Sequence, residues 1–156
     1  MIKEGFVVEY LEFIIENIRD EDFQEMQALW GISWKKEMMN SLMNTNCIFS
    51  MAQNKSGKII PIAVGGFQKV FPSNPKIACV WLISSAFVKE NKKEFFKDIS
   101  FILEKASTEY SIFYNFIYKS NYEAKNWLKK FGFKFDNPNP KNIYVAPNFE
   151  FFYKTN

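Results

Sequence analysis

The groups in this chain that could do chemistry are a serine pair, a lysine cluster and several tyrosines, and no histidine stands beside any of them. Ser84-Ser85 follows the apolar run Ile77 to Ile83, and Lys89, Lys92 and Lys93 open the helical pattern that comes next. With histidine absent from the whole sequence, Ser-His-Asp and Cys-His nucleophile arrangements and any His-containing metal site are excluded. Ser84 and Ser85 therefore have no activating partner and read as cap or loop residues. Cys47 and Cys79 are too few and too far apart for a Cys-only zinc site, so no metal is expected. The lysines admit two readings. Cations in a helix's first turn oppose its dipole by about 0.3–1 kcal/mol each, so a bound anion would explain them; the plainer account is a solvated helix end with Glu90 and Glu94 nearby. Asn115, polar within the apolar run Ile112 to Tyr118, must find hydrogen bonds and either orients a ligand or satisfies a neighbouring loop. Trp81 reads as core. The acidic trio Asp20, Glu21 and Asp22 needs nothing beyond helix capping.

The elements that must position these groups are legible from periodicity. Phe6 to Glu9 reads as a short strand. From Tyr10 the spacing turns helical, with Leu11, Ile14, Ile15 and Ile18 on one stripe, interrupted around Asn17 to Asp20. Asp20 is the N-cap candidate for a second helix carrying Phe23, Met26 and Trp30, and Ser33 for a third, Trp34 to Met43, carrying Met38, Met39 and Leu42. Cys47 to Gln53 and Lys58 to Phe67 are strands joined in a hairpin by Asn54-Lys55-Ser56-Gly57, with Gly65-Gly66 marking a bulge or a close backbone approach. Ile77 to Ile83 is a central strand, followed by a long helix from about Glu90 to Tyr110 with Phe95, Ile99, Ile102, Leu103, Ala106 and Tyr110 as its core stripe. Ile112 to Tyr118 is a buried strand. Ser120 with Glu123 forms a capping box for a helix bearing Ala124, Trp127, Leu128 and Phe131, which Gly132 ends in the left-handed C′ position. Phe133 to Phe135 starts another strand, Asn137-Pro138-Asn139-Pro140 is a rigid turn, and Asn148 to Lys154 is the last strand. The order is that of an α+β protein with a central, mostly antiparallel sheet and helices on both faces.

A chain of 156 residues, 47% hydrophobic and 24% charged, fits a single domain over residues 1–156. Of its 20 basic residues only Arg19 is arginine, which an AT-rich genome explains. A net charge of +3 with acidic residues interspersed argues against a nucleic-acid surface, which needs clustered Lys and Arg. No run approaches the ~20 apolar residues of a membrane span, and the start of the chain lacks the apolar core of a secretory leader. A soluble, intracellular protein with reduced, unbridged thiols is expected. Aromatic residues make up 19% of the chain, and the tail Phe149-Glu150-Phe151-Phe152-Tyr153 places them on both strand faces. Such a strand is covered by helices or offered to a partner, so self-association is a second expectation.

Asn121, Ala124, Gly132 and Phe133 reproduce an N-x-x-A-(x)7-G-F spacing that resembles the last helix of GNAT-type N-acetyltransferases. Three landmarks resemble a narrower group, the GNAT-like proteins of podovirus-type tailed phages related to an internal virion or assembly protein. They are I-R-D-E-D-F-Q-E at Ile18 to Glu25, V-W-L-I-S-S at Val80 to Ser85, and Y-N-F-(x)4-N-(x)5-W-L-K-x-x-G-F at Tyr114 to Phe133.

The resemblance implies a GNAT-like fold with an acyl-CoA cleft where the strand Ile77 to Ser84 splays from Ile112 to Tyr118. Pantetheine would pair with the exposed backbone of the first strand, and the pyrophosphate would sit at the N-terminus of the long helix, where unpaired N–H groups and the dipole favour anions. On that reading Ile83, Ser84, Ser85, Lys92, Lys93 and Asn121 are the cofactor-binding candidates and acetyl-CoA is the cofactor. Two departures stand out. The family's Q/R-x-x-G-x-G/A loop is replaced by Ala86 to Lys93, which contains no glycine, and the family's tyrosine acid falls on Leu128. Tyr114, Tyr118 and Tyr122 are the candidates for a substitute acid, set against the plainer reading as core or rim aromatics. The sequence thus supports a phage GNAT-fold protein with degenerate catalytic motifs, acting in virion assembly or as an internal virion protein through contacts with virion or host proteins. Its setting would be the host cytoplasm or the particle. The alternative is an acetyl-CoA-dependent N-acetyltransferase acting on a protein or small amine.

Overall fold

Short apolar stripes at helical spacing build the first part of the molecule, and continuous or alternating apolar runs build its sheet. The computed structural model describes residues 1–43, 45–136 and 145–156. The elements in order are β1 (Ile2–Glu4), α1 (Val8–Glu16), α2 (Asp20–Trp30), α3 (Trp34–Leu42), β2 (Ile48–Gln53), β3 (Ile59–Lys69), β4 (Ile77–Ser84), α4 (Lys92–Ala106), β5 (Ile112–Tyr118), α5 (Tyr122–Lys130) and β6 (Phe149–Thr155), with 3₁₀ turns at Gly31–Ser33 and Ala86–Glu90. The six strands form one sheet in the order β1-β2-β3-β4-β5-β6. The β4–β5 pair is parallel, whereas β1–β2, β2–β3 and β5–β6 are antiparallel. The fold is α+β, as the element order of the sequence predicts.

Residue contacts divide the chain into two compact units, Met1–Phe67 with Trp81–Glu104, and Gln68–Val80 with Lys105–Asn156. In the first unit, Leu11, Ile14 and Ile15 of α1, Met26 of α2 and Trp34, Met38 and Leu42 of α3 pack on Phe49, Met51, Val64 and Ile83. Asp98 of α4 instead accepts a hydrogen bond from Ser50 Oγ at 2.7 Å, and the Met1 amino group lies 2.8 Å from the same carboxylate. Ser50 neighbours Phe49 along β2, so strand alternation puts α1–α3 and α4 against opposite faces. In the second unit, β5 and β6 pair from Ile112↔Thr155 to Tyr118↔Phe149. The ring of Phe152 meets those of Phe133 and Phe135, with centroids 5.3 and 5.9 Å apart.

Several local expectations shift. Phe6 to Glu9 is not a strand, because the stripe Leu11, Ile14, Ile15 recruits Val8 and Glu9 into α1, and the strand lies earlier at Ile2–Glu4. The long helix expected from about Glu90 to Tyr110 is shorter, running from Lys92 to Ala106, with Glu90 ending a 3₁₀ turn and Asn91 between the two. Asn121, rather than Ser120, caps α5, its Oδ1 accepting from Ala124 N at 3.3 Å. Phe133 to Phe135 forms only the isolated bridge Lys134↔Tyr153. The proline turn Asn137-Pro138-Asn139-Pro140 lies outside the described residues.

Two glycine readings hold. Gly132 adopts φ +85°, and with Phe133 N donating to Leu128 O and Gly132 N to Lys129 O it closes α5 in a Schellman motif. Gly65 and Gly66 mark a close approach, since a Cβ there would lie 2.7 Å from Trp81 O and 2.8 Å from the Trp81 ring respectively. The sheet irregularity falls elsewhere, between Ser50 and Met51.

Candidate functional site

The end of β4 is held by the link between α1 and α2. Ser85 N–H donates to Ile62 O of β3 at 2.9 Å, and its hydroxyl donates to the same oxygen at 3.1 Å. Backbone groups alternate sides along a strand, so Ser84 presents its own to the edge away from β3. There its carbonyl accepts from Arg19 N at 3.0 Å, while Ala86 N donates to Asn17 O at 2.8 Å, which makes Ile18 and Ser85 an antiparallel bridge. Ser84 N and Ser84 Oγ both donate to Asp22 Oδ2, at 2.9 and 2.7 Å. The other Asp22 oxygen takes the Arg19 guanidinium at 2.6 Å, and Arg19 Nε lies 3.7 Å from Glu21 Oε2. Arg19 is 1% exposed and Asp22 7%. A charge this deep persists only when paired, and the Asp22 carboxylate supplies that pair.

Ile83, Ser84 and Ser85 are therefore committed to structure: Ile83 packs in the core of α1–α3, and both serines are buried with engaged hydroxyls. The turn Ala86–Glu90 that follows spends amides internally, with Val88 N donating to Ser85 O and Asn91 N to Val88 O. Phe87 stacks on Phe13 at 5.8 Å, and Asn91 Nδ2 donates to Phe87 O at 2.9 Å. Lys92 and Lys93 begin α4 as exposed residues, with Glu94 beside them. An open groove of about 610 Å³ lies next to this turn, lined by Gln53, Asn54, Lys55, Phe87, Glu90 and Asn91 among others, and Lys55 pairs with Glu90 across 3.2 Å.

In the second unit the parallel ladder of β4 with β5 matches Ile77, Ala78 and Cys79 with Ile112, Phe113 and Tyr114. The next carbonyl, Val80 O, accepts from Asn115 Nδ2 at 2.7 Å, while Asn115 Oδ1 accepts from Phe116 N. Asn115 thus satisfies local backbone. Tyr114 is buried, with the Phe71 and Phe151 rings at 5.9 and 6.1 Å; burial first, then the neighbouring Cys79, pushes its hydroxyl pKa up. Burial pushes the Cys79 thiol up to about 11. Tyr118 lies against Phe149 at 5.4 Å, and Tyr122 is 70% exposed under Lys125. Asn121 is buried as the α5 cap. Leu128, half-buried, offers no proton. The predicted site residues therefore divide between the units: Ile83, Ser84, Ser85, Lys92 and Lys93 in the first, and Tyr114, Tyr118, Tyr122 and Asn121 in the second.

Arg19 and Asp22 were missed by sequence reasoning, which gave the acidic trio only a capping role. One signal pointed to them. In a chain that otherwise uses lysine for every basic residue, one arginine marks a position needing a planar, permanently charged fork.

No protein-family model matches the sequence, and no curated protein does either. Solved structures match along nearly the whole chain. A GNAT-family acetyltransferase from Bacillus anthracis is 13% identical with a TM-score of 0.66, covering 99% of this chain and 93% of its own. A ribosomal-protein-alanine N-acetyltransferase from Brucella melitensis is 9% identical at TM-score 0.63, covering 99% of each chain. The spermidine N-acetyltransferase SpeG chimera from Vibrio cholerae and hSSAT is 12% identical at 0.63, covering 99% of this chain and 95% of its own. This chain has the GNAT fold.

GNAT acetyltransferases use acetyl-CoA. At the start of α4 the residues suit its anionic part, because Lys92 and Lys93 are exposed in the first turn of a 15-residue helix. At the end of β4 they do not suit the pantetheine arm in this arrangement, since the Ser84 edge is already paired with Arg19 and Asp22. Among the described residues no group of side chains could hold a metal ion, and no helix is long and apolar enough to cross a membrane.

Proposed function

We propose that the chain is an acetyl-CoA-dependent N-acetyltransferase acting on a protein or small amine. The observation that carries this reading is the likeness, along 99% of the chain, to structures that are themselves N-acetyltransferases, one named for a ribosomal protein and one for spermidine. Acetyl-CoA supplies an activated thioester carbonyl. The contribution of this chain is binding: Lys92 and Lys93 meet the phosphates at the start of α4, replacing with side-chain charge what a glycine loop provides through close backbone approach. Amine acylation gains most from positioning and oriented dipoles, so the lack of a dedicated acid at Leu128 lowers the rate without removing the reaction.

Thermal unfolding with and without millimolar acetyl-CoA or CoA tests the reading. A ligand at about 100 times its dissociation constant stabilises the native state by ~2.7 kcal/mol, and Lys92→Glu with Lys93→Glu should erase that shift. If neither ligand moves the midpoint of this protein or of a variant whose Ser84 edge is freed, the reading fails.

A second reading, favoured by the glycine-free turn and by Leu128 in the acid position, is that of a phage GNAT-fold protein working in virion assembly through protein contacts. It expects the protein in the host cytoplasm or in the particle. Mass spectrometry of purified virions, together with a flat response to acetyl-CoA, would favour it.

A further inference from the structure

The link between α1 and α2 does something no helix connection requires: it lies on the edge of β4 as a one-bridge strand. Its hold includes the two backbone bonds flanking Ile18 and Ser85, from Arg19 N to Ser84 O and from Ala86 N to Asn17 O, the Asp22 carboxylate on Ser84 N and Oγ, and the packing of Ile18 on the core. A single bridge has little cooperativity of its own. The Arg19–Asp22 pair supplies what the bridge lacks, since Asp22 grips β4 with one oxygen and the guanidinium of the strap with the other. The occupied edge is the one away from β3, whose side Ser85 faces.

We propose that the Asn17–Arg19 segment is a strap that fills the free edge of β4, that the Arg19–Asp22 pair is its latch, and that an acyl-CoA reaches this edge only when the strap withdraws. The identity of the ligand rests on the acetyltransferase reading; the strap and latch rest on the hydrogen bonds alone. An acyl-CoA lying along β4 needs the Ser84 backbone that the strap now uses, and two occupants cannot share one strand edge. The apparent affinity of the closed protein is therefore its intrinsic affinity reduced by the fraction of molecules with the strap open.

Two variants loosen the strap by different routes. Ala86→Pro removes only the donor to Asn17 O; Ala86 opens a 3₁₀ turn, a position that suits proline, and Ser85 before it is extended at φ −83°, ψ 162°. Asp22→Asn weakens the latch. A third variant, Ile18→Cys with Ser85→Cys, locks the strap by a disulfide, because a bridge pair not itself hydrogen-bonded brings its Cα atoms within disulfide range.

Amide hydrogen exchange on the full chain reads the strap, and titration with acetyl-CoA followed by thermal unfolding reads the edge. Expected are faster exchange at Arg19 and Ser84 in both loosened variants, protection unchanged in β2 and β3, and acetyl-CoA binding roughly tenfold or more tighter than wild type. The oxidised locked variant should not bind until reduced. Unchanged exchange at Arg19 and Ser84 in both loosened variants overturns the latch. Wild-type, loosened and locked proteins that all bind equally overturn the strap as a gate while leaving the acetyltransferase reading intact. If the loosened variants open yet nothing binds acetyl-CoA, the acetyltransferase reading falls and takes the gate with it.

Discussion

The end of β4 and the β5–β6 pair bury their side chains by opposite means. At the end of β4, Arg19, Asp22, Ser84 and Ser85 are all under 10% exposed, and each contact is a directed hydrogen bond or ion pair. Along β5 and β6 one face is mostly aromatic, with Tyr114, Phe116 and Tyr118 opposite Tyr153, Phe151 and Phe149, and Ile112 opposite Thr155 at its end. Ring centroids there lie 5.4–6.1 Å apart, at varied angles. The polar cluster is specific because its hydrogen bonds join particular donors to particular acceptors, so it fails when one member is lost. The aromatic face gains from area and shape, so it degrades gradually. The first arrangement suits a latch with two states, the second a fixed wall.

The largest effect should come from the polar cluster. Asp22→Asn conserves volume, yet it leaves the buried Arg19 guanidinium without its carboxylate, and the expected cost is about 3–5 kcal/mol in urea unfolding. A loss under about 1 kcal/mol would mean the pair is not buried as described and would erase the contrast. The next effect belongs to the second region and is read by pH. The Cys79 thiol stays neutral in the folded state up to about pH 11, whereas an unfolded thiol ionises near 9. Its contribution is therefore fully present below about pH 9 and is lost as pH rises toward 11, by about 2 kcal/mol. Cys79→Ala should flatten that part of the stability–pH curve; an unchanged slope would assign it to other groups.

Phe151→Leu probes the aromatic face directly. Most of the buried area survives and the ring pairs with Tyr114, Phe116 and Tyr153 are lost, so about 1 kcal/mol is expected, well below the cost of the equally conservative Asp22→Asn. Equal costs would remove the distinction between the two regions. The smallest effect lies at the start of α4. Lys93→Glu replaces a cation that opposes the dipole with an anion that suits it, and should stabilise the ligand-free protein by roughly 0.5 kcal/mol in thermal unfolding. A destabilisation instead would show that Lys93 already has a structural partner.

Much of the fold was legible because it is local. The stripe Met38, Met39, Leu42 behind Ser33 specifies α3 and the apolar run Ile77 to Ile83 specifies β4, each to within one residue of its observed end. Gly132 was legible for the same reason, since a Schellman close involves only residues within a few positions of it. The α5 cap was misread by one residue because Ser120 and Asn121 carry equally good cap side chains, and only the backbone path chooses between them. The candidate site was less legible. Ser84 and Ser85 were visible as a pair without an activating partner, but their partners Asp22 and Ile62 lie 62 and 23 residues away.

The sequence by itself determined the excluded chemistries, the helix stripes, the strand runs and the α+β order. Composition and spacing suffice for these, since each depends on residue identity or on neighbours within a turn or two. Only the tertiary structure decided that Asn17–Arg19 lies on β4, that the lone arginine is buried, and that Asp22 serves a strand rather than a helix end. Those outcomes depend on which distant groups meet once the chain is packed. A buried charge or an open strand edge reaches its lowest free energy with whatever matched partner packing delivers, and no local period of the sequence encodes that meeting.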